Sequence, residues 1–389
     1  MLRMFAYGAL SIVFVLYLSG IGLGAAAVGL LLTLTLLGDA AISLWLTTNA
    51  DRWGRRRTLL AGAALMAAGG AGFLATSRLE WLMAAAIVGV LSPSGSEIGP
   101  FLSVEQAALS ELLPDDQRTR VFAWYNLAGS AATALGALAA GWGLQVMQRA
   151  GVGELDAYRA VLAGYSAAGA ALAAVFAFLS PALEARPADA PARSGLFLGL
   201  HESKRKVAGL SALFGLDAFA GGFVLQSVLV NWFHVRFHAD PGTLGTVFFG
   251  ANLIAAASAL MAHRIAQRVG LINTMVFTHL PSNVLLILVP LMPSLPLAVG
   301  MLLLRFSISQ MDVPTRQSYT MMVVAPDERS AAAGVTGIAR SLGAALAPVM
   351  GSAFLLAGAG TPFFVAGGLK IAYDLLLYRS FRRTENATR

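Results

Sequence analysis

The stretch AISLWLTTNADRWGRRRTLLAGAALM, Ala41 to Met66, sets a compact basic turn between two apolar runs. Four arginines, Arg52, Arg55, Arg56 and Arg57, crowd the turn. On either side the chain stays apolar for about 20 residues, enough for a helix to cross roughly 30 Å of hydrocarbon. Charges of this density stay out of a bilayer core, so the stretch reads as two spanning helices joined at one membrane face.

Working outward, the same character fills the chain. Of 389 residues, 57% are hydrophobic and 12% charged, with a mean hydropathy of +0.71, far from the composition of a soluble domain. The apolar runs are rich in Ala, Leu and Gly on all sides and lack the period-two alternation of a membrane barrel, so helices must do the spanning. Spans are expected at about 5–23, 26–48, 58–77, 80–112, 119–147, 157–180, 206–235, 241–266, 271–292, 295–324, 329–357 and 361–379. The first run follows Met1-Leu2-Arg3 and resembles a signal peptide ending at Ala25-Ala26-Ala27, but the span that follows at once favours an uncleaved helix. Pro181 to Arg205 has no helical apolar face and reads as a linker between two sets of six. The expected organisation is therefore an all-α, twelve-helix membrane protein: a bundle over 1–180, a cytoplasmic linker over 181–205, a bundle over 206–380 and a cytoplasmic tail over 381–389.

Lys and Arg sort by side. With both termini inside, cytoplasmic segments hold 19 of the 27, among them Arg52 and Arg55 to Arg57, Lys204 to Lys206, and Arg379, Arg382 and Arg383. Only Arg78, Arg149, Arg159 and Arg236 fall outside, and Arg305, Arg316, Arg340 and Lys370 lie within apolar runs. The net charge of +7 and pI near 10.0 thus reflect orientation, and no nucleic-acid partner is expected. The absence of cysteine removes disulfides and thiolate metal sites from consideration. Five histidines, His201, His234, His238, His263 and His279, show no ligand spacing, and no metal or other cofactor is expected.

Two echoes relate the halves. Glu105-Gln106 and Gln117-Arg118 return as Arg316-Gln317 and Glu328-Arg329, and Ala50-Asp51-Arg52-Trp53-Gly54 as Ala266-Gln267-Arg268-Val269-Gly270. Halves repeated in parallel imply a solute site between them near mid-membrane. With that layout, Asp51-Arg52-Trp53-Gly54-Arg55-Arg56 resembles the loop signature of the major facilitator superfamily. The resemblance implies that Asp51, Arg52, Gly54, Arg55 and Arg56 act as a conformational latch, that the first, fourth, seventh and tenth helices line a cavity, and that the protein works as a monomer. The sequence departs from the family at Thr47, where a glycine is usual. In the fifth helix, the exporters' Gly-Pro and paired glycines are reduced to Gly136-Ala137 and Gly141, with Gly129 completing a small-residue face. The fourth-helix arginine of the family's proton-coupled drug exporters is absent, and Glu97 and Glu105 are the ionisable groups there.

Charge at mid-bilayer costs about 2.5 to 3.5 kcal/mol even on insertion scales, so each such residue needs a partner, a wet cavity or a role. Candidates for substrate binding or proton coupling are Asp39, Glu97, Glu105, Asp217, Arg305, Asp312, Arg316 and Arg340. Asp217, Arg305, Asp312 and Arg340 lie about 16 to 20 Å from the nearest loop, counting 1.5 Å per residue. Asp217 has no opposite charge within a turn of its own helix, whereas Asp312 and Arg316 stand four apart and suit a local pair, as do Lys370 and Asp374. Structural pairing and a transport role both remain open for each. Ser92 to Pro100 and Asp312 to Arg316 each interrupt a helix with proline, and paired interruptions point to the binding region.

The expected function is movement of a small solute across the inner (plasma) membrane by alternating access, with protons as coupling ion and efflux as direction. Uptake of an anionic or zwitterionic metabolite is the alternative, and a non-transporting membrane sensor a third. No GxxxxGK[ST] motif is present to make ATP the energy source, and no catalytic constellation suggests an enzyme. The lipid bilayer, the solute and protons are the expected partners.

Overall fold

A computed structural model describes residues 1–96, 99–112, 115–180, 200–325, 328–354 and 360–388. Among these are fifteen α-helices and no strand. They are α1 (Leu2–Gly20), α2 (Ala25–Trp53), α3 (Arg55–Ala75), α4 (Leu79–Val88), α5 (Phe101–Leu112), α6 (Asp115–Arg149), α7 (Glu154–Ala177), α8 (Lys204–Gly222), α9 (Gln226–Phe237) and α10 (Pro241–Val269). There follow α11 (Leu271–Leu288), α12 (Leu295–Ser309), α13 (Asp312–Val323), α14 (Arg329–Phe354) and α15 (Thr361–Thr388). Twelve passes account for all of them, because three expected spans are each two helices: α4 with α5, α8 with α9, and α12 with α13. Among the described residues, nine helical stretches are long and apolar enough to span on length and composition alone. Of the linker over 181–205, residues 181–199 lie outside the described residues, and α15 continues through 381–388 where a tail was expected.

Glycine sets the first turn that the sequence singles out. Gly54 separates α2 from α3 at φ 101°, and Gly270 separates α10 from α11 at φ 96°, a backbone region open to glycine and strained for other residues. The second echo of the repeat therefore corresponds to one backbone shape used twice.

The chain forms two compact units, Met1–Pro191 with Leu225–Phe249, and Ala192–Val224 with Gly250–Arg389. In the first, α1 is enclosed along nearly its whole length, with Tyr7, Leu10, Phe14 and Tyr17 fully buried, and packs on α6 and α7 while α3 packs on α7. In the second, α8 packs on α14 and α15 while α11 packs on α15. Counted as passes, first on fifth, first on sixth and third on sixth recur as seventh on eleventh, seventh on twelfth and ninth on twelfth. Small residues make the tightest pair possible in each unit. A Cβ added at Gly8 would run into the carbonyl of Thr133 and one at Gly136 into that of Phe5, while one at Gly343 would meet Gly215 and one at Gly222 would meet Ala344.

The break in the fourth pass is built, not frayed. Pro93, Gly95 at φ 70°, Gly99 at φ 80° and Pro100 cannot continue a helix, and apolar surroundings demand that the freed backbone groups find partners. The Tyr165 hydroxyl donates to the Val90 carbonyl at 2.6 Å, Ser92 Oγ donates to the Ser96 carbonyl at 2.7 Å, and the Ser227 N–H donates to the Pro93 carbonyl at 3.2 Å. One residue before Ser227, Gln226 Nε2 donates to Ser11 Oγ of α1 at 2.7 Å. The start of α9 is thus pinned to α1 and to the interrupted pass.

Candidate functional site: a buried ionic network

The polar residues of the second unit converge. Asp217 on α8 is 4% exposed and accepts Lys370 Nζ of α15 at 2.5 Å, Arg340 Nη1 of α14 at 3.1 Å and Arg316 Nη1 of α13 at 3.3 Å. Arg316 also donates to Asp312 at 2.8 Å, the pair that its four-residue spacing suggested. From α11, His279 sets Nε2 at 3.8 Å from Asp217 and Nδ1 at 2.9 Å from Asp374 of α15. Asn283, one turn on from His279, donates to the other oxygen of Asp374 at 2.9 Å. Five helices thus contribute to one network in which Asp217 is the hub.

Lys370 and Asp374 do not pair with each other as their spacing suggested: each is engaged separately, Lys370 by Asp217 and Asp374 by His279 and Asn283. The reason is direct. One helix face presents both side chains to other helices, Lys370 to Asp217 of α8 and Asp374 to His279 and Asn283 of α11. His279 and Asn283 join the site although neither stands at metal-ligand spacing in the sequence. Their i, i+4 placement on an apolar helix is the signal that finds them, since polar groups inside a span are functional suspects by default.

Arg305 on α12 differs from its neighbours. It is 8% exposed, its guanidinium lies 5.2 Å from the centroid of Phe306, and its Nε is enclosed without a partner. The charges of Asp217 and Asp312 reach it, but it hydrogen-bonds to neither.

In the first unit Glu105 of α5 holds a separate cluster. Arg3 of α1 grips both its oxygens, at 2.7 and 2.9 Å, and donates to Tyr125 Oη of α6 at 2.6 Å, with the guanidinium 5.0 Å from the Phe101 ring. Fork-on-fork geometry makes this a tight tie among three helices. Asp39 of α2 is buried and accepts from Ser43 at 3.4 Å. Glu97 and the side chain of Asp51 lie outside the described residues. Of the remaining latch residues, Arg52 is exposed, Arg55 is buried and Arg56 donates to the Ala177 carbonyl at the end of α7.

Glu328, part of the first sequence echo, closes the loop before α14. Its carboxylate accepts the N–H groups of His201, Glu202 and Ser203 at the start of α8, the last two at 2.8 and 2.9 Å. Burial pushes this carboxyl up, but the Ser203 hydroxyl and the three N–H groups outweigh it and hold it at about 2.

A multi-pass membrane protein with a titratable network buried among its helices fits the carrier class. Residues 1–348 match the model of the Major Facilitator Superfamily, and the chain belongs to that family. It is 29% identical to the uncharacterized membrane protein YJR124C of Saccharomyces cerevisiae, over 97% of this chain and 91% of that protein. Among solved structures, the nucleoside transporter NupG superposes with a TM-score of 0.72 at 13% identity, covering 98% of this chain and 96% of its own. A bacterial homologue of the human lysosomal transporter Spinster, inward-facing and unoccupied, gives 0.70 at 16% identity, covering 100% and 95%. A D-xylose-proton symporter gives 0.70 at 14% identity, covering 97% and 95%. At such identities these structures share the fold alone.

Proposed function

We propose that the chain is a proton-coupled secondary carrier that exports a small solute across the inner membrane. Two six-helix bundles, 1–180 and 206–380, would alternate access about the linker, with both termini cytoplasmic and the monomer as working unit. The observation that carries this reading is the Asp217 network, because it combines groups that titrate with cations that can change partners. Stripping a buried carboxylate of its partner costs about 3 to 5 kcal/mol. A proton moving down 100 mV supplies about 2.3 kcal/mol. The cycle must therefore exchange partners instead of breaking pairs outright.

His279 offers the means. With its proton on Nδ1 it donates to Asp374, leaving Nε2 to face Asp217. That nitrogen, 3.8 Å from Asp217, stands where it can replace Lys370 or Arg340 as the partner of the carboxylate when the helices move. Export stays the leading direction although the exporters' signature in α6 is reduced, because Gly136 and Gly141 keep a face for close helix contact. Uptake is the second reading, favoured by the partial exposure of Arg340, whose side chain is 34% accessible.

A growth-inhibition panel with and without expression identifies solutes, and flux into proteoliposomes under an imposed pH gradient then tests coupling. Accumulation in inside-out vesicles on acidifying their interior is the expected result. Solute movement indifferent to the gradient would remove proton coupling, and accumulation in whole cells would reverse the direction.

A further inference from the structure

We propose that Arg305 is the recognition point for an oxyanion, so that the solute of this carrier bears a carboxylate or a phosphate. The inference rests on the carrier reading and adds the chemical class of what is carried. Four basic side chains, Arg305, Arg316, Arg340 and Lys370, meet three carboxylates, Asp217, Asp312 and Asp374, in the same unit. Each carboxylate is already engaged: Asp217 and Asp312 by the other three cations, at 2.5 to 3.3 Å, and Asp374 by His279 and Asn283 at 2.9 Å. Arg305 is the cation left over. It is more than nine-tenths buried on an apolar helix, makes no hydrogen bond or ion pair among the described residues, and has an enclosed Nε with no acceptor.

A guanidinium carries five N–H donors in a rigid fork, and burial cuts Nε of this one off from water without supplying an acceptor. The ring of Phe306 covers one face of the fork but accepts none of its in-plane donors. What the fork lacks is a planar or tetrahedral group of oxygens with negative charge, the geometry that carboxylate and phosphate share. An uncharged solute would leave the excess positive charge in place, and a cationic one would add to it.

The test uses the full chain in proteoliposomes on a solid-supported membrane, with currents recorded on rapid exchange of probe. The oxyanion probes are benzoate, succinate, glycerol 3-phosphate and inorganic phosphate, the uncharged counterparts benzamide and glycerol, and the cation ethidium. The expected result is a saturable current with at least one oxyanion, whose half-saturating concentration rises tenfold or more in Arg305→Gln and less in Arg305→Lys. The carboxylate and phosphate arms then tell which head group is carried. Where the Gln variant does not yield folded protein, the Lys variant alone decides, because it keeps the charge and loses the fork. An oxyanion current unchanged by either substitution overturns the assignment of Arg305. Currents confined to the uncharged or cationic probes overturn the anion class while leaving a carrier in place, and silence with every probe overturns both.

Discussion

Asp217 neutralises three cations at once, the buried Arg316 and Lys370 and the partly exposed Arg340, and its loss is felt by all of them. Asp217→Asn is expected to destabilise the protein by about 3 to 5 kcal/mol, seen as a lower melting temperature in detergent, and to abolish solute flux. Adding Lys370→Gln removes one orphaned charge and should recover part of the melting temperature but not the flux. Glu328 makes a prediction in pH. Its carboxyl sits at about 2 against an ordinary 4.5, so the stability it contributes is complete above about 4.5 and is lost as pH falls toward 2. Melting measured from pH 7 to pH 3 should fall below pH 4.5 in the native chain and stay flatter in Glu328→Gln. At this scale the sequence was half legible. The Asp312 and Arg316 pair follows from spacing on one helix, whereas the partners of Asp217 come from α13, α14 and α15, and no spacing rule reaches across helices. Arg3 looks in sequence like any charge flanking a span, since nothing local shows that Glu105 and Tyr125 wait for it more than a hundred residues on.

Helices meet in each unit at glycines with no room to grow. Gly136→Ala places a methyl against the Phe5 carbonyl and is expected to cost about 1 to 3 kcal/mol, whereas Gly143→Ala, with nothing within 4 Å of its added carbon, should be neutral. Comparative melting of the two variants checks this. Capping is equally local: Asp240 accepts the N–H and hydroxyl of Thr243 at 2.9 and 2.7 Å ahead of Pro241, and Asp240→Ala should cost about 1 kcal/mol. The apolar runs announced where helices lie, and proline and glycine announced the break at Ser92 to Pro100. Between α8 and α9 the local signal is Gly221-Gly222, on which α8 ends, while Phe223, Val224 and Leu225 after it are as apolar as any helix interior. Tertiary contacts then hold the break: Gln226 and Ser227 reach α1 and Pro93.

For the molecule as a whole, sidedness can be read directly, since the chain contains no cysteine of its own. A membrane-impermeant maleimide on intact cells is expected to label Val152→Cys and to spare Arg57→Cys until the cells are opened. The reverse pattern would invert the proposed orientation. The count of passes and the internal repeat were legible because hydropathy and charge asymmetry are properties of long segments, and errors at single residues average out. The partition into compact units was not, because contact between distant segments assigns α9 to the unit of α1 and α8 to the other. That assignment has a bearing on how the protein is made. Ser11 receives its partner Gln226 from 215 residues further along, which at ribosomal speed arrives about 10 to 40 s later. The packing of α1 is thus completed only after synthesis has passed the middle of the chain, and until then Ser11 keeps only its bond to the Gly8 carbonyl.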